Sequence, residues 1–355
     1  MSVDPIEFLE SAVETPSHES VDEMRELLVD TLQEAGLDPQ VDELGNVLAE
    51  RGAGNPHIVL NTHLDTVPPH HPLERTENEI RGRGSCDAKG PLAAMLAAFL
   101  AVDPSRGRVT LVVTPDEERA STGAAALDLA ADGFIVGEPT GLAVCIGARG
   151  RFQGTVSLHG KGAHAADPDA GVNAISGLRA VLEGMETYDT ERGIDAHPRL
   201  GAPTLTPTLV SGGEAGNRIP AAVEVTFDRR TVPPETESAF FEAFESHLAE
   251  RVSKDLEVTV SRAERDTPFL SGFETDPDSA VSLALLEAGA GDARPFGAAT
   301  EAAYFADIAP TVVFGPGDLS DEEGPVAHSE REYVRMKDVR RAVDILTEAL
   351  TDLVC

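Results

Sequence analysis

Three short apolar segments, separated by stretches with helical spacing, constrain the fold of this chain most strongly. They cover residues 57–62, 108–113 and 134–136. Continuous apolar runs of this length are typical of strands that are buried on both faces of a sheet. A helical pattern begins at Pro91 after the first run, and Ser121 begins another after the second. This alternation predicts an α/β fold with a mixed, mostly parallel sheet between helices.

A change of pattern near Gly147 indicates an insertion. Alternating strands and two helices follow it, with strands at 152–159, 204–211, 222–230 and 256–261 and helices at 172–188 and 238–252. The order strand-helix-strand-strand-helix-strand predicts a compact, ferredoxin-like α+β domain. The α/β pattern then resumes, with a helix at 279–288, a strand at 311–314 and a closing helix at 336–350. We therefore predict a first domain made of residues 1–148 and 264–355, interrupted by an inserted domain at 149–263.

The charge of the chain excludes two classes of partner. Its 355 residues carry a formal net charge of −34, and lysine occurs only at positions 89, 161, 254 and 337. An acidic protein of this kind is repelled by nucleic acid and by anionic membranes, so neither is expected as a partner. We predict a protein adapted to concentrated salt, where screening weakens its self-repulsion. A mildly acidic mesophilic protein is the alternative, and the scarcity of lysine argues against it.

Cysteine usage and the apolar segments predict a soluble, cytoplasmic protein. Three scattered cysteines form no disulfide framework, which is typical of a reducing compartment. The first residues include no basic region followed by an apolar signal core. The longest apolar run, Pro91 to Val102, is too short to span a bilayer.

Metal-ligand residue types stand where the predicted strands end. The candidates are His63 and Asp65 after the first strand, Glu117 and Glu118 after the second, Glu138 after the third, Asp87 among glycines before a helix, and the distant His328. Taken singly, most have ordinary explanations, such as a structural histidine or a solvated turn. Together they match the nitrogen and oxygen ligands of zinc, or of cobalt or manganese in its place. We predict two metal ions with Asp87 bridging them.

Two neighbouring features bear on the chemistry. The adjacent Glu117 and Glu118 point in different directions, so one can bind metal while the other acts on water as a base. Cys86 adjoins Asp87, but a cysteine nucleophile needs a paired base, and the spacing of the sequence offers none. We therefore interpret Cys86 as a small packed residue.

An ordered set of motifs resembles the acetylornithine deacetylase / succinyl-diaminopimelate desuccinylase family of co-catalytic zinc amidohydrolases, which includes aminoacylases, carboxypeptidase G-type enzymes and dipeptidases. The resemblance covers nearly the whole chain. It lies in residues 63–68 (HLDTVP), 82–90 (GRGSCDAKG), 116–118 (DEE) and 137–140 (GEPT), with residues 162–164 (GAH) and 171–175 (GVNAI) in the insertion. It implies a zinc-peptidase-like catalytic domain whose inserted domain acts as a lid and dimerises.

The resemblance also implies roles for individual residues. One metal ion would be held by His63, Asp87 and Glu138, and the other by Asp87, Glu118 and His328. Asp65 would orient His63, and Glu117 would be the general base and then the acid. In the insertion, His164 would stabilise the oxyanion, in cis or across a dimer, while Asn217 and Arg230 would bind the substrate carboxylate. Arg229 adjoins Arg230, so either arginine could serve; the spacing from Asn217 favours Arg230.

The segments around Glu301 and at 310–317 are more similar to acetylornithine deacetylase than to the desuccinylase, so N-acetylornithine is the first predicted substrate. Glu301 would bind the side-chain ammonium of ornithine; the alternative is a glutamate that only begins a helix. The open alternatives are a desuccinylase, a hydrolase of carrier-protein-bound lysine or ornithine, and a dipeptidase or carboxypeptidase. A non-catalytic binding protein is disfavoured because Glu117 and all of the ligands are present.

Overall fold

A computed structural model describes residues 3–355 and divides them into two compact units. In chain order, the helices are α1 (Pro5–Glu14), α2 (Asp22–Glu34), α3 (Lys89–Ala101), α4 (Thr122–Ala125), α5 (Ala174–Glu191), α6 (Glu237–Ala249), α7 (Ala280–Glu287), α8 (Ala302–Phe305) and α9 (Met336–Val354). The strands are β1 (Gln40–Val41), β2 (Val47–Gly52), β3 (His57–His63), β4 (Glu74–Arg75), β5 (Glu79–Arg81), β6 (Arg108–Thr114), β7 (Gly133–Val136), β8 (Ala143–Ala148), β9 (Gly150–His159), β10 (Ala163–His164), β11 (Thr204–Gly212), β12 (Arg218–Ile219), β13 (Ala222–Thr231), β14 (Glu257–Arg262), β15 (Phe273–Glu274), β16 (Gly291–Pro295), β17 (Thr311–Val313), β18 (Ser320–Asp321), β19 (Gly324–Pro325) and β20 (Tyr333–Arg335). Within this range, no helix is both long and apolar enough to cross a bilayer.

The first unit, which contains residues 3–148 and 274–355, is built around a mixed sheet with the strand order β1-β2-β6-β3-β7-β17-β8. Its central strands β6, β3, β7 and β17 are parallel, and β2 joins β6 antiparallel. All seven residues of β3 are buried, because the strand lies in the middle of a sheet with packed faces. The parallel register aligns His63 with Thr114, so β3 and β6 end at the same edge. This is the mostly parallel α/β architecture that the sequence predicted.

Helix α3 is a central element of the first unit. It is buried on nearly every side and packs against α1 and α9. The sequence placed its start at Pro91, whereas it begins at Lys89; a proline in the first turn removes no intrahelical hydrogen bond. The helix predicted from Ser121 is only the single turn of α4. Asp116 accepts hydrogen bonds from the main chain of Thr122 and Gly123 and so holds this turn.

The second unit, residues 149–273, is an antiparallel sheet covered by helices. Its strand order is β11-β13-β9-β14, and α5 and α6 pack on the sheet. This is the order of a ferredoxin-like βαββαβ domain, as the sequence predicted. Its core is rich in aromatic rings: Phe152, Tyr188, Phe227, Phe240 and Phe244.

The second unit ends ten residues beyond the predicted boundary, at Phe273 instead of 263. Leu270 forms a bridge with Arg151 at the start of β9, and the ring of Phe269 lies 6.0 Å from that of Phe152. The segment after β14 therefore packs on the inserted unit before the chain re-enters the first unit. The sequence could not reveal this return, because the segment carries no regular strand or helix pattern.

Candidate metal centre

The ends of three parallel strands bring the candidate ligands of the first unit together. β3 ends at His63, β6 ends three residues before Glu117, and β7 ends two residues before Glu138. Since β3 lies between β6 and β7, the three side chains come from neighbouring strands at one edge of the sheet. Polar groups commonly collect at this edge in open α/β sheets.

Asp87 lies between two histidines at this edge. Its Oδ1 is 3.4 Å from His63 Nε2, and its Oδ2 is 3.3 Å from His328 Nε2. The residue is only 7% exposed. His328 has a φ of 63°, in the left-handed region that few residues other than glycine adopt. Each oxygen of one carboxylate thus faces a different imidazole.

Two sets of three ligand atoms surround Asp87. In the first set, the ligand atoms of His63, Asp87 and Glu138 all lie within 4.8 Å of one another, and the same holds for Asp87, Glu118 and His328 in the second. These are the two sets that the family resemblance implied, and Asp87 belongs to both. A third set of this kind contains His63, Glu117 and Glu118.

The donors in these sets fit divalent cations. None of residues 3–355 gives His63 Nε2 a hydrogen bond, although this ring nitrogen is fully buried. A buried polar atom without a partner is rare in proteins and calls for a ligand. Imidazole nitrogens together with carboxylate oxygens are common zinc ligands, so the residues present suit that ion.

Burial and mutual repulsion act strongly on the carboxylates. Burial raises the pKa of Glu117 and of Glu138 well above the usual range, and neighbouring carboxylates raise both pKa values further. Burial also opposes the ionisation of Asp87, but the nearby imidazoles of His328 and His63 outweigh it and lower the pKa of Asp87. Positive charge beside Asp87 therefore decides whether this cluster of acids can ionise.

The two histidines supply that positive charge when no metal is bound. Burial lowers the pKa of His63, but the nearby carboxylates of Asp65 and Asp87 outweigh burial and raise the pKa well above its usual value. Hydrogen bonds to Asp87 and Glu118 raise the pKa of His328 to about 10. Metal ions that bind to these nitrogens must displace the protons, so metal binding here depends on pH.

Asp65 has two contacts, of which the sequence predicted one. Its Oδ1 lies 3.3 Å from His63 Nδ1, and its main-chain oxygen is 3.0 Å from the same nitrogen. Its two carboxylate oxygens also accept hydrogen bonds from the main-chain N–H groups of Glu117 and Glu118, at 3.0 and 3.1 Å. Asp65 thus orients His63 and holds the adjacent glutamates. The second contact joins segments about fifty residues apart, and no sequence pattern indicates it.

Glu301 is buried at the same edge, at the start of α8. It is 1% exposed, and its Oε2 accepts a 2.8 Å hydrogen bond from Thr114 Oγ1 at the end of β6. Its Oε1 has no hydrogen-bond partner among the described residues, and its side chain makes no helix-capping bond. Burial raises the pKa of Glu301 to about 8. A simple helix-start role does not account for these contacts.

Two threonines that the sequence analysis did not single out support these acids. Thr300 Oγ1 donates to Glu138 Oε1 at 3.1 Å, and Thr114 holds Glu301. Thr114 closes β6 directly before Pro115, so its place at the end of an apolar run was a usable signal. Thr300 adjoins Glu301 but carries no comparable signal.

The remaining predicted residues, His164, Asn217 and Arg230, belong to the inserted unit. β10 pairs with β12, and Ala165 N donates to Asn217 O at 2.9 Å, so the loops of His164 and Asn217 adjoin. Arg230 lies on β13 and pairs with Asp228 at 2.7 Å, with its side chain 38% exposed.

The neighbouring Arg229 differs from Arg230 in its burial and in the number of its ion pairs. It is fully buried, and its guanidinium binds Asp189 and Glu235 at 2.7 Å each. A guanidinium held in this way has no free face for a substrate. The contrast favours Arg230 as the residue that meets a ligand.

Comparison with known proteins places this geometry in a family. A sequence model described as Peptidase family M20/M25/M40 matches residues 59–352. A protein of Pyrobaculum aerophilum, named as a LysW-lysine/LysW-ornithine hydrolase, is 31% identical over 349 residues, which cover 96% of this chain and 94% of the relative. The acetylornithine deacetylase of Aliivibrio fischeri strain ES114 is 26% identical over 343 residues, covering 90% of this chain and 88% of the relative.

The fold is also similar to that of a solved structure. The YXEP protein of Bacillus subtilis, described as a dinuclear metal binding peptidase from the M20 family, aligns with a TM-score of 0.74. It is 16% identical in sequence, and the alignment covers 99% of this chain and 97% of that protein.

Proposed function

Because the chain belongs to peptidase family M20/M25/M40 and is a metal-dependent hydrolase of amide bonds, we propose that it releases ornithine or lysine from an N-acylated form. The single observation that carries the choice of amino acid is the unpartnered Oε1 of Glu301. A buried carboxylate oxygen at the edge of the metal centre suits the side-chain ammonium that ornithine and lysine share.

Two divalent ions, with zinc as the first candidate and cobalt or manganese as alternatives, fit the two ligand sets. His63, Asp87 and Glu138 would hold one ion, and Asp87, Glu118 and His328 the other. When bound, such ions would supply Lewis-acid chemistry at the scissile carbonyl and at the attacking water. Glu138 would be aided by Thr300, whose hydroxyl donates to it at 3.1 Å.

Glu117 is the general base in this proposal and then the general acid. Burial raises its pKa, and a carboxyl group of raised pKa can both accept a proton from water and return it near neutral pH. Asp65 accepts a hydrogen bond from the main-chain N–H of Glu117 and so fixes the backbone from which the Glu117 side chain extends. The proton taken from water is then passed to the departing α-amine.

The acyl group has two candidates. The sequence analysis put acetyl first, and the Aliivibrio fischeri relative is named for that reaction. The Pyrobaculum aerophilum relative, however, is more similar over more of the chain and is named for LysW-linked lysine and ornithine. We therefore place the carrier-linked amino acid first and N-acetylornithine second.

The inserted unit carries the remaining residues of the proposal. His164 would stabilise the oxyanion, and Asn217 with Arg230 would bind the substrate carboxylate. The partly exposed side chain of Arg230 supports this assignment, since Arg229 is buried in its own ion pairs. We also propose that the protein forms a homodimer through the inserted unit. We propose further that it acts in a cytoplasm rich in salt.

A parallel assay in high salt tests the substrate. It compares LysW-linked lysine and ornithine, N-acetylornithine, N-succinyl-diaminopimelate and simple dipeptides. We expect the highest kcat/KM for the carrier-linked substrates, followed by N-acetylornithine. N-acetylnorvaline is the matched control, because it lacks only the side-chain amine; we expect it to lose about 2–5 kcal/mol of transition-state binding. A preference for dipeptides, or equal rates on N-acetylnorvaline and N-acetylornithine, would contradict the proposal.

A further inference from the structure

A buried ion pair outside both ligand sets lies beneath Asp87. Arg83 and Glu332 are 2% and 1% exposed, and Arg83 Nη1 lies 2.7 Å from Glu332 Oε2. Removing two charges from water is expensive, and a buried pair often stabilises a fold no more than well-packed apolar residues would. A contribution to stability is therefore not a sufficient explanation of this pair.

Glu332 binds the main chain that carries the shared ligand. Its Oε1 accepts hydrogen bonds from the N–H groups of both Cys86 and Asp87, each at 3.1 Å. The carboxylate of Asp87 lies on the other side of its residue, between His63 and His328. Glu332 thus fixes the main-chain position of Asp87. It contributes no atom to either ligand set.

Arg83 forms hydrogen bonds to the main chain of two further segments that carry ligands. Its Nε donates to Pro69 O at 3.1 Å, in the loop that follows His63 and Asp65. Its Nη1 also donates to Ser329 O at 3.3 Å, next to His328. One buried pair therefore contacts the three segments that carry His63, Asp87 and His328.

Strand pairing already holds two of these segments without the ion pair. β5 pairs with β20 in the register Arg81 to Tyr333, and Gly82 N donates to Glu332 O at 3.1 Å. The side chains of Arg83 and Glu332 add contacts to the ligand-bearing loops only. We propose that Glu332 and Arg83 are positioning residues, which set Asp87 between the two ligand sets and so tune the affinity of both metal ions together.

This inference rests on the proposed function, because it requires that the two ligand sets bind metal. Groups that orient metal ligands typically change affinity about 10- to 100-fold when they are replaced. We expect Glu332→Gln to weaken zinc at both positions by about that factor, because Asp87 belongs to both sets. A kcat decrease at unchanged KM should accompany the loss.

The matched control is Glu235→Gln in the inserted unit. Glu235 is also a buried carboxylate bound to an arginine, with Arg229 Nη2 at 2.7 Å. Within residues 3–355, the hydrogen bonds of its side chain go to Arg229 and Thr231, both in the inserted unit. Both variants should unfold at lower temperature than the wild type. Only Glu332→Gln should lower zinc affinity in a chelator competition and alter the visible absorption of the cobalt-loaded protein.

A double variant separates positioning from stability. Arg83→Met with Glu332→Leu replaces the pair by apolar side chains, so that neither charge is left buried without its partner, as Arg83 is in Glu332→Gln. We expect its melting temperature to recover relative to Glu332→Gln while zinc affinity stays low. Recovery of zinc affinity together with stability would overturn the inference, as would wild-type affinity and an unchanged cobalt spectrum in Glu332→Gln.

The same measurements separate this inference from the proposed function. A wild-type protein that binds two ions but does not release ornithine or lysine would refute the substrate and leave the positioning role supported by the zinc data. A wild-type protein that binds no pair of ions would overturn both.

Discussion

Both units of the protein bury charged side chains, but they differ in how completely these charges find partners. In the inserted unit, Arg229 is fully buried, binds Asp189 and Glu235, and lies over the rings of Tyr188 and Phe240. Every face of this guanidinium has a favourable neighbour. The carboxylates of the two partners and the two aromatic rings make it a structural element of the core.

At the sheet edge of the first unit, the buried charges are crowded and incompletely bonded. Glu117 and Glu138 repel each other, and neither His63 Nε2 nor Glu301 Oε1 has a hydrogen-bond partner among residues 3–355. Buried charge of this kind is costly unless a ligand completes it. A buried charge with a complete set of partners therefore indicates a structural role, whereas an incompletely bonded cluster of buried charges indicates a binding site.

The largest expected effect follows removal of the shared ligand. Asp87→Ala should reduce the metal content from about two ions to almost none and abolish turnover, because both ligand sets lose a member. Glu138→Ala or His328→Ala should mainly weaken one ion. Elemental analysis after gel filtration measures the difference. Equal metal loss in all three variants would contradict the prediction that Asp87, unlike Glu138 and His328, serves both ions.

The next effect separates chemistry from metal binding. Glu117→Gln should keep both ions and the fold but lower kcat by about 10²- to 10⁴-fold, because the amide cannot take a proton from water. Metal analysis and steady-state kinetics on the same sample give both quantities. Turnover retained at the wild-type rate would exclude Glu117 as the base.

The inserted unit should respond in the opposite sense. Arg229→Ala leaves Glu235 buried without its cation and should lower the free energy of unfolding by about 3–5 kcal/mol. Its metal content should remain that of the wild type, since Arg229 lies outside both ligand sets. Denaturant unfolding and elemental analysis test the two statements. Metal loss from the folded variant would show that the ion pairs of Arg229 are not purely structural.

The smallest effect is a dependence of substrate binding on pH. The pKa of Glu301 is raised to about 8, so its carboxyl group becomes protonated and neutral as the pH falls through that value. A neutral carboxyl attracts an ammonium group less, and KM for N-acetylornithine should therefore rise as the pH decreases. Glu301→Gln should raise KM about 10- to 100-fold, the strength of a charged hydrogen bond, and make KM less dependent on pH. An identical pH profile in the variant would exclude Glu301 as the ammonium partner.

Much of this arrangement could be predicted because its signals are local. Apolar runs predicted β3, β6 and β7, and the residues that follow each run, such as His63 and Glu138, lie at the strand ends. The glycines around Asp87 and the helix after it predicted a fixed carboxylate. The order of strands and helices between residues 149 and 263 predicted the inserted fold.

The rest depends on contacts between distant segments. Glu332 accepts a hydrogen bond from the main chain of Asp87, which lies 245 residues away in the sequence. No pattern in either segment indicates that bond. The short strands β8 and β16 pair at one side of the sheet, but neither has a strand pattern that the sequence analysis recognised. Burial of Arg229 beside the more exposed Arg230 follows from the alternation of β13, but only once the inner face of that strand is known.

Anomalous diffraction from crystals of the zinc-loaded protein would show where the two metal ions bind. Two peaks should flank the Asp87 carboxylate, one beside His63 and Glu138 and the other beside Glu118 and His328. A single peak, or two peaks that do not share Asp87, would contradict the account.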